Sequence, residues 1–165
     1  QTPTQTNTIY QNAFSLENSD LVFENNSIYF SNNKNEFFSL DARTGTIKWA
    51  QSVNSSLRPT IIENLIFTVS NEGYLFIIDD LTGNIIRITD VLKNFKDRLD
   101  IKPIGFIHAK NKVYVSLSNG RLVTINSSTG IQEKITKISN SKISRPYILN
   151  NSMYLIKDNA LAKIE

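Results

Sequence analysis

The stretch SLDARTGTIKW, Ser39 to Trp49, joins a small residue, an aspartate, a Thr-Gly pair and a tryptophan four residues past the glycine. A glycine-containing turn alone says little, and recurrence decides whether it is chemistry or architecture. FIIDDLTGNIIR (Phe76 to Arg87) and VTINSSTGIQEK (Val123 to Lys134) carry the same Thr-Gly pair, so Gly45, Gly83 and Gly130 follow one another at spacings of 38 and 47 residues. Seventeen residues before each glycine, a branched aliphatic residue precedes an aromatic one: Ile28-Tyr29, Ile66-Phe67 and Val113-Tyr114. A shorter fourth copy begins at Met153-Tyr154 and ends in ALAKIE. Short strands repeating with a period near 40 predict the blades of a β-propeller.

The second copy reads as four antiparallel strands. Arg58 to Ile62 opens with a proline, which a strand tolerates at its head. Asn64 to Ser70 is β-branched and aromatic, Asn71 to Gly73 is a turn, and Tyr74 to Asp80 is the next strand. Leu81 to Gly83 turns again into Asn84 to Val91. Within the motif, Asp41 and Asp79 stand before the turn, where a short carboxylate accepts backbone N–H groups, and Asn126 can do the same. Gly45, Gly83 and Gly130 suit a positive-φ position, and Thr44, Thr82 and Thr129 can cap the bend through their hydroxyls. Trp49 is large enough to pack between adjacent blades with its indole N–H on a backbone acceptor. Recurrence at every turn makes these structural residues rather than catalytic ones.

Small-x-Asp-x-x-Thr-Gly-x-x-x-Trp after a strand resembles the PQQ-type propeller repeat, also called the quinoprotein or tryptophan-docking repeat. Ser39 stands where alanine is usual; the second copy has Arg87 in the tryptophan position, and the third has Asn126 for aspartate and Lys134 for tryptophan. The resemblance covers roughly residues 20 to 165. It implies one of two branches: PQQ-dependent dehydrogenases, or cofactor-free propellers such as the BamB-type lipoproteins, eight-bladed rings that scaffold assembly of outer-membrane β-barrels. The dehydrogenase branch implies a catalytic aspartate, calcium ligands, a stacking tryptophan and usually a vicinal disulfide. With one tryptophan and no cysteine, this sequence departs from that pattern, and no cofactor is expected.

Composition agrees with a folded chain. Hydrophobic residues make up 40%, no apolar run approaches a membrane span, and the net charge of +3 is scattered rather than gathered into a nucleic-acid footprint. Absent cysteine excludes disulfides, thiolate metal sites and a cysteine nucleophile. The only histidine, His108, precedes a strand without a second ligand nearby in sequence, and no phosphate-binding glycine loop or calcium loop occurs.

The longer second spacing places nine extra residues in DVLKNFKDRLDIKP, Asp90 to Pro103. Val91, Leu92, Phe95 and Leu99 fall at helical spacing, which predicts either a short amphipathic helix or an extended loop with apolar anchors. Phe95 and Leu99 would anchor a partner, with Lys96 and Arg98 as the polar rim.

The expectation is an all-β chain: about three and a half four-stranded blades over residues 20–57, 58–101, 102–144 and 145–165, after a polar linker or edge segment at 1–19. It reads as a trimmed piece, the C-terminal half of a larger ring, whose open ends associate with another copy or a missing half. By resemblance its role is a non-enzymatic, protein-binding scaffold of the bacterial periplasm, BamB-like in outer-membrane barrel assembly. The rivals are a C-terminal fragment of a PQQ-dependent dehydrogenase and a ligand-sensing propeller.

Overall fold

The computed structural model describes residues 17–164, so most of the expected 1–19 linker lies outside the described residues. Four antiparallel sheets follow one another in chain order. Blade 1 holds β1 (Val22–Glu24), β2 (Ser27–Asn32), β3 (Glu36–Asp41) and β4 (Ile47–Gln51). Blade 2 holds β5 (Thr60–Ile62), β6 (Leu65–Val69), β7 (Tyr74–Asp79) and β8 (Ile85–Asp90). Blade 3 holds β9 (Pro103–Ala109), β10 (Lys112–Leu117), β11 (Arg121–Asn126) and β12 (Gln132–Lys137). Blade 4 has three strands, β13 (Tyr147–Leu149), β14 (Ser152–Lys157) and β15 (Ala160–Ile164). Each strand pairs with the next in sequence, the meander of a propeller blade. The expected all-β propeller architecture is what the structure has.

The strands form because β-branched and aromatic residues alternate between two faces, and both faces of an inner blade are covered. In blade 2, Ile66 pairs with Ile78 on the face toward blade 1, while Phe67 pairs with Ile77 on the face toward blade 3. The first face packs with Tyr29, Phe37 and Val53. The second packs with Val113, Val115, Val123 and Ile125 of blade 3. Ile66, Ile78, Val113 and Ile125 are fully buried. Each such side chain contributes roughly 1.5–3 kcal/mol of burial, so the two inter-blade layers are the core that holds the arc together.

Tight hairpins use several of the asparagines. Asn25-Asn26, Lys110-Asn111, Asn150-Asn151 and Asp158-Asn159 each have positive φ at both residues. That is the two-residue turn whose twist matches a hairpin, and asparagine tolerates it best after glycine.

A bulge recurs at one place in three blades. The pairing slips between Ser39 and Leu40, between Ile77 and Ile78, and between Thr124 and Ile125. The extra residues are Lys48, Ile86 and Glu133 on the outer strands. Each slip turns the following residue to the face of the next blade, as bulges do when they re-aim a side chain. The residues so aimed are Trp49, Arg87 and Lys134, opposite Ser39, Ile77 and Thr124.

Candidate functional site

The repeat motif folds into a self-contained turn. Asp41 Oδ1 accepts the backbone N–H of Arg43 and of Thr44 and the Thr44 hydroxyl, at 2.8–3.0 Å. Gly45 N–H donates to the Asp41 carbonyl at 2.8 Å and takes φ of 72°. The second turn repeats this: Asp79 Oδ1 accepts the Thr82 N–H at 2.8 Å and the Thr82 hydroxyl at 2.7 Å, and Gly83 N–H donates to the Asp79 carbonyl. In the third, Asn126 Oδ1 accepts the N–H groups of Ser128 and Thr129, and Gly130 N–H donates to the Asn126 carbonyl. The amide does the carboxylate's work because the turn needs an acceptor and no charge.

The Thr44 N–H and hydroxyl hold the Asp41 carboxyl below its ordinary value, and the Thr82 hydroxyl and N–H do the same for Asp79. A carboxyl depressed on folding stabilises the folded state above its unfolded pKa, near ~3.9, and that contribution disappears as pH falls through the lower folded value. The Asp79→Asn variant should therefore lose less urea resistance between pH 5 and pH 3 than the parent. An equal loss in both chains would show that this carboxylate adds nothing to acid stability.

Trp49 docks blade 1 on the turn of blade 2. Its indole N–H donates to the Asp80 carbonyl at 2.9 Å. Its ring stacks on Phe37 with centroids 5.8 Å apart and planes 10° from parallel. Beside it, Gln51 Nε2 donates to the Gly83 carbonyl at 2.7 Å. A Cβ built on Gly83 would lie 2.6 Å from the indole, so glycine is needed there for close approach as well as for φ of 73°. Arg87 occupies the same role between blades 2 and 3, its guanidinium donating to the carbonyls of Ser127 and Ser128 and its chain lying over Gly130. In the second copy arginine stands in the motif's tryptophan position. The structure shows a second docking residue, and a signal existed: arginine, too, offers a planar donor group on a long apolar stem. Lys134 instead lines a groove of about 750 Å³ between blades 3 and 4, with Tyr114, Ile148 and Met153. Beside it Lys112 and Glu133 form an ion pair at 2.7 Å.

The insertion after Asp90 is a loop, which settles the choice between helix and loop. Among its residues only Arg98–Asp100 makes a helical turn, of 3-10 type. Val91 and Leu92 are buried, and Leu92 lies under Gly73, so half of the helical-looking apolar pattern belongs to the core. Phe95 is half-buried against that core, with the Arg121 guanidinium 5.9 Å from its ring. Phe95 and Lys96 line an open groove of about 640 Å³ with Asn119, Arg121 and Ile135. Arg98 turns away from it, making an ion pair with Asp90 at 3.0 Å and a hydrogen bond with the Tyr74 hydroxyl at 3.3 Å. Asp90 is the main cause of its raised pKa. Leu99 is 92% exposed. The loop thus brings Phe95 and Lys96 together and presents Leu99, but Arg98 braces the loop.

His108 packs its ring on Phe67 at 4.9 Å, and burial pushes its pKa down. Among the described residues no three His, Cys, Asp or Glu side chains gather to hold a metal. No described helix is long and apolar enough to cross a membrane. The one tryptophan does not fit a quinone-stacking role, since its faces and N–H are already engaged by Phe37, the Gly83 turn and Asp80.

Comparison with known proteins agrees with this geometry. No curated protein matches the sequence. Among solved structures, BamB from Moraxella catarrhalis is similar with a TM-score of 0.71 at 14% identity, over 88% of this chain and 41% of that one. The chain therefore spans about two fifths of that protein's length. The computationally designed Ika4 protein matches with a TM-score of 0.72 at 13% identity, over 91% of this chain and 90% of that one. The Cps50 (Swd1) β-propeller domain of Myceliophteria thermophila matches at 0.64 and 10% identity, over 81% of this chain and 46% of its own. A family profile described as outer membrane protein assembly factor BamB matches residues 1–89. That match spans more than half of the sequence and the fold is shared, so the chain belongs to this BamB family.

Proposed function

We propose that this chain is a non-enzymatic, protein-binding scaffold of the bacterial cell envelope. Its BamB-type role would lie in assembling outer-membrane β-barrel proteins, on the periplasmic side and associated with the outer membrane. The observation that carries the reading is what the motif residues touch. Asp41, Thr44, Asp79, Thr82 and Trp49 all bind their own turns or the next blade, which leaves loops and blade edges as the features free to act. Family membership supplies the direction, since the family is described as an assembly factor.

The partner surface in this reading is the loop after Asp90. Leu99 is its exposed anchor, Phe95 the floor of the groove, and Lys96 with Arg121 the polar rim. Arg98 holds the loop in place through Asp90. An extended segment with alternating apolar residues, such as a barrel strand before assembly, suits a groove beside sheet edges.

A fluorescent peptide copied from an outer-membrane barrel strand provides the test. The pair Phe95→Ala with Leu99→Ala should weaken its binding about tenfold or more, a loss in the range of a small interface hot spot. Circular dichroism of the variant should match the parent. Unchanged binding by a folded variant would remove the loop from the reading. Dye reduction on adding quinone and calcium would overturn the scaffold reading itself.

A further inference from the structure

Blades 1, 2 and 3 each end in a fourth strand with one open side: β4, β8 and β12. Neighbouring blades come closest at their first and second strands, β9 against β6 and β13, which puts the fourth strands at the outer rim. An open edge invites pairing with another chain, and proteins guard it with charged side chains and bulges. Blade 1 places Lys48 at its bulge, and blade 3 places Glu133 there, with Lys134 and Lys137 further along β12. Blade 2 has Ile86 at that position. β8 carries two charges, and both are engaged elsewhere. Arg87 reaches across to the carbonyls of Ser127 and Ser128, and Asp90 holds Arg98. What β8 offers outward is Ile86 and Ile88, 54% and 53% exposed. By docking blade 2 on blade 3, Arg87 leaves its own edge without a guarding charge.

The backbone of this edge is free as well. The Val91 N–H donates to the Gly73 carbonyl, so Val91, Thr89 and Arg87 point their ladder groups at β7. In an antiparallel pair the residues between them point theirs the other way. The N–H and C=O of Ile88 and Asp90 therefore face outward, and among the described residues no strand lies beyond β8. Further blades of a longer ring would join the arc at blades 1 and 4 and leave this rim where it is.

We propose that the outer edge of β8 is a strand-acceptor site, where an uncharged, apolar, extended segment of a partner protein adds to blade 2 as a further strand. The chemistry of the occupant follows from what is left unpaired. Backbone donors and acceptors at strand spacing match the backbone of another strand, and isoleucines without a free charge match apolar side chains. A charged segment would find no counter-ion, since Arg87 and Asp90 are already bound. The Asp90–Arg98 pair also fixes the loop that presents Leu99, so the edge runs on directly into that partner surface. The proposal rests on the scaffold reading for the existence of a protein partner, and adds a second site to it.

A capped fluorescent peptide of alternating valine and threonine is the probe, titrated into the parent chain and into Ile86→Lys. Blade 1 already carries lysine at this bulge and Ile86 is exposed, so the variant should keep the parent's circular dichroism and urea midpoint. Ile86→Lys should weaken binding about tenfold or more, and Phe95→Ala with Leu99→Ala should weaken it less. Hydrogen exchange supplies a second readout. The amides of Ile88 and Asp90, open in the free chain, should exchange more slowly once the peptide is bound. Binding that Ile86→Lys leaves unchanged, with slowed exchange confined to the loop after Asp90, overturns the edge site and leaves the scaffold reading standing. A parent that does not bind the peptide overturns the site as well, and the scaffold reading falls with it only if the barrel-strand peptide also fails to bind. Slowing at Ile88 and Asp90 that grows with chain concentration, without peptide, makes the occupant a second copy and overturns the partner assignment.

Discussion

Replacing Trp49 by alanine is expected to lower stability by about 2–4 kcal/mol, somewhat below the usual range for a fully buried tryptophan because this side chain is only partly buried. Against a total of about 5–15 kcal/mol for a domain of this size, that is a large fraction. For this length it corresponds to a fall in Tm of about 5–15 °C. The reason is the number of things the side chain does at once. It stacks on Phe37, lies near Tyr29, fills the space over Gly83 and ties blade 1 to the Asp80 carbonyl. Trp49→Phe should recover most of the loss, leaving about 1 kcal/mol for the missing N–H donor. Gly83→Ala provides the cross-check. In the parent its new Cβ meets the indole at 2.6 Å, whereas in the Trp49→Ala background that obstacle is gone and only the positive-φ strain remains. A double-mutant cycle should therefore give a coupling of about 1–2 kcal/mol. Additive losses would mean that the ring moves aside freely, and the docking account would fail.

How much of this was readable beforehand depends on which physical property each feature uses. The fold was legible because turn chemistry is local: aspartate, threonine and glycine at fixed offsets dictate the bend whatever surrounds them, and three copies mark the period. Trp49 was legible because a lone large aromatic at that offset has few places to go. Arg87 was not, since its docking role rests on two carbonyls brought near by the neighbouring blade. The bulges at Lys48, Ile86 and Glu133 are also invisible in composition, being defined only by the strands opposite. In the loop after Asp90 the helical spacing of apolar residues misled, because Val91 and Leu92 are drawn into the core and tertiary burial overrides a short period. The apolar character of Phe95 and Leu99 could be read directly, while the bracing of Arg98 by Asp90 and Tyr74 required the coordinates. The two-residue hairpin turns that use Asn25, Asn26, Asn111, Asn150, Asn151 and Asn159 at positive φ required the coordinates as well.

The Gly120→Ala variant should be the most destabilised single methyl addition in the chain, by about 2–5 kcal/mol. Two effects combine. Gly120 has φ of 74°, where an alanine is strained by roughly 1–2 kcal/mol. Its added Cβ would also meet the carbonyl oxygens of Ser139 and Ser141, backbone atoms that cannot rotate away as a side chain can. Those carbonyls belong to the segment linking blade 3 to blade 4. That segment is held over the turn by Ile138 and Ser139 N–H groups donating to the Gly120 carbonyl, and by Asp158 accepting the hydroxyls of Ser139 and Ser141. Pushing it outward breaks contacts on both sides, so the loss should appear as weakened docking of blade 4 as well as a lower midpoint in urea. Hydrogen exchange should show faster exchange over β13 to β15 before the rest of the chain opens. Gly45→Ala is the matched control: its φ is 72°, but nothing lies within 4 Å of the added Cβ, so only the strain of roughly 1–2 kcal/mol applies. If both variants lose the same amount, the linker over Gly120 is loose and its closeness carries no energy. If Gly120→Ala loses the larger amount but β13 to β15 exchange no faster than the parent's, the strain is absorbed inside blade 3 and the linker is not what seats blade 4.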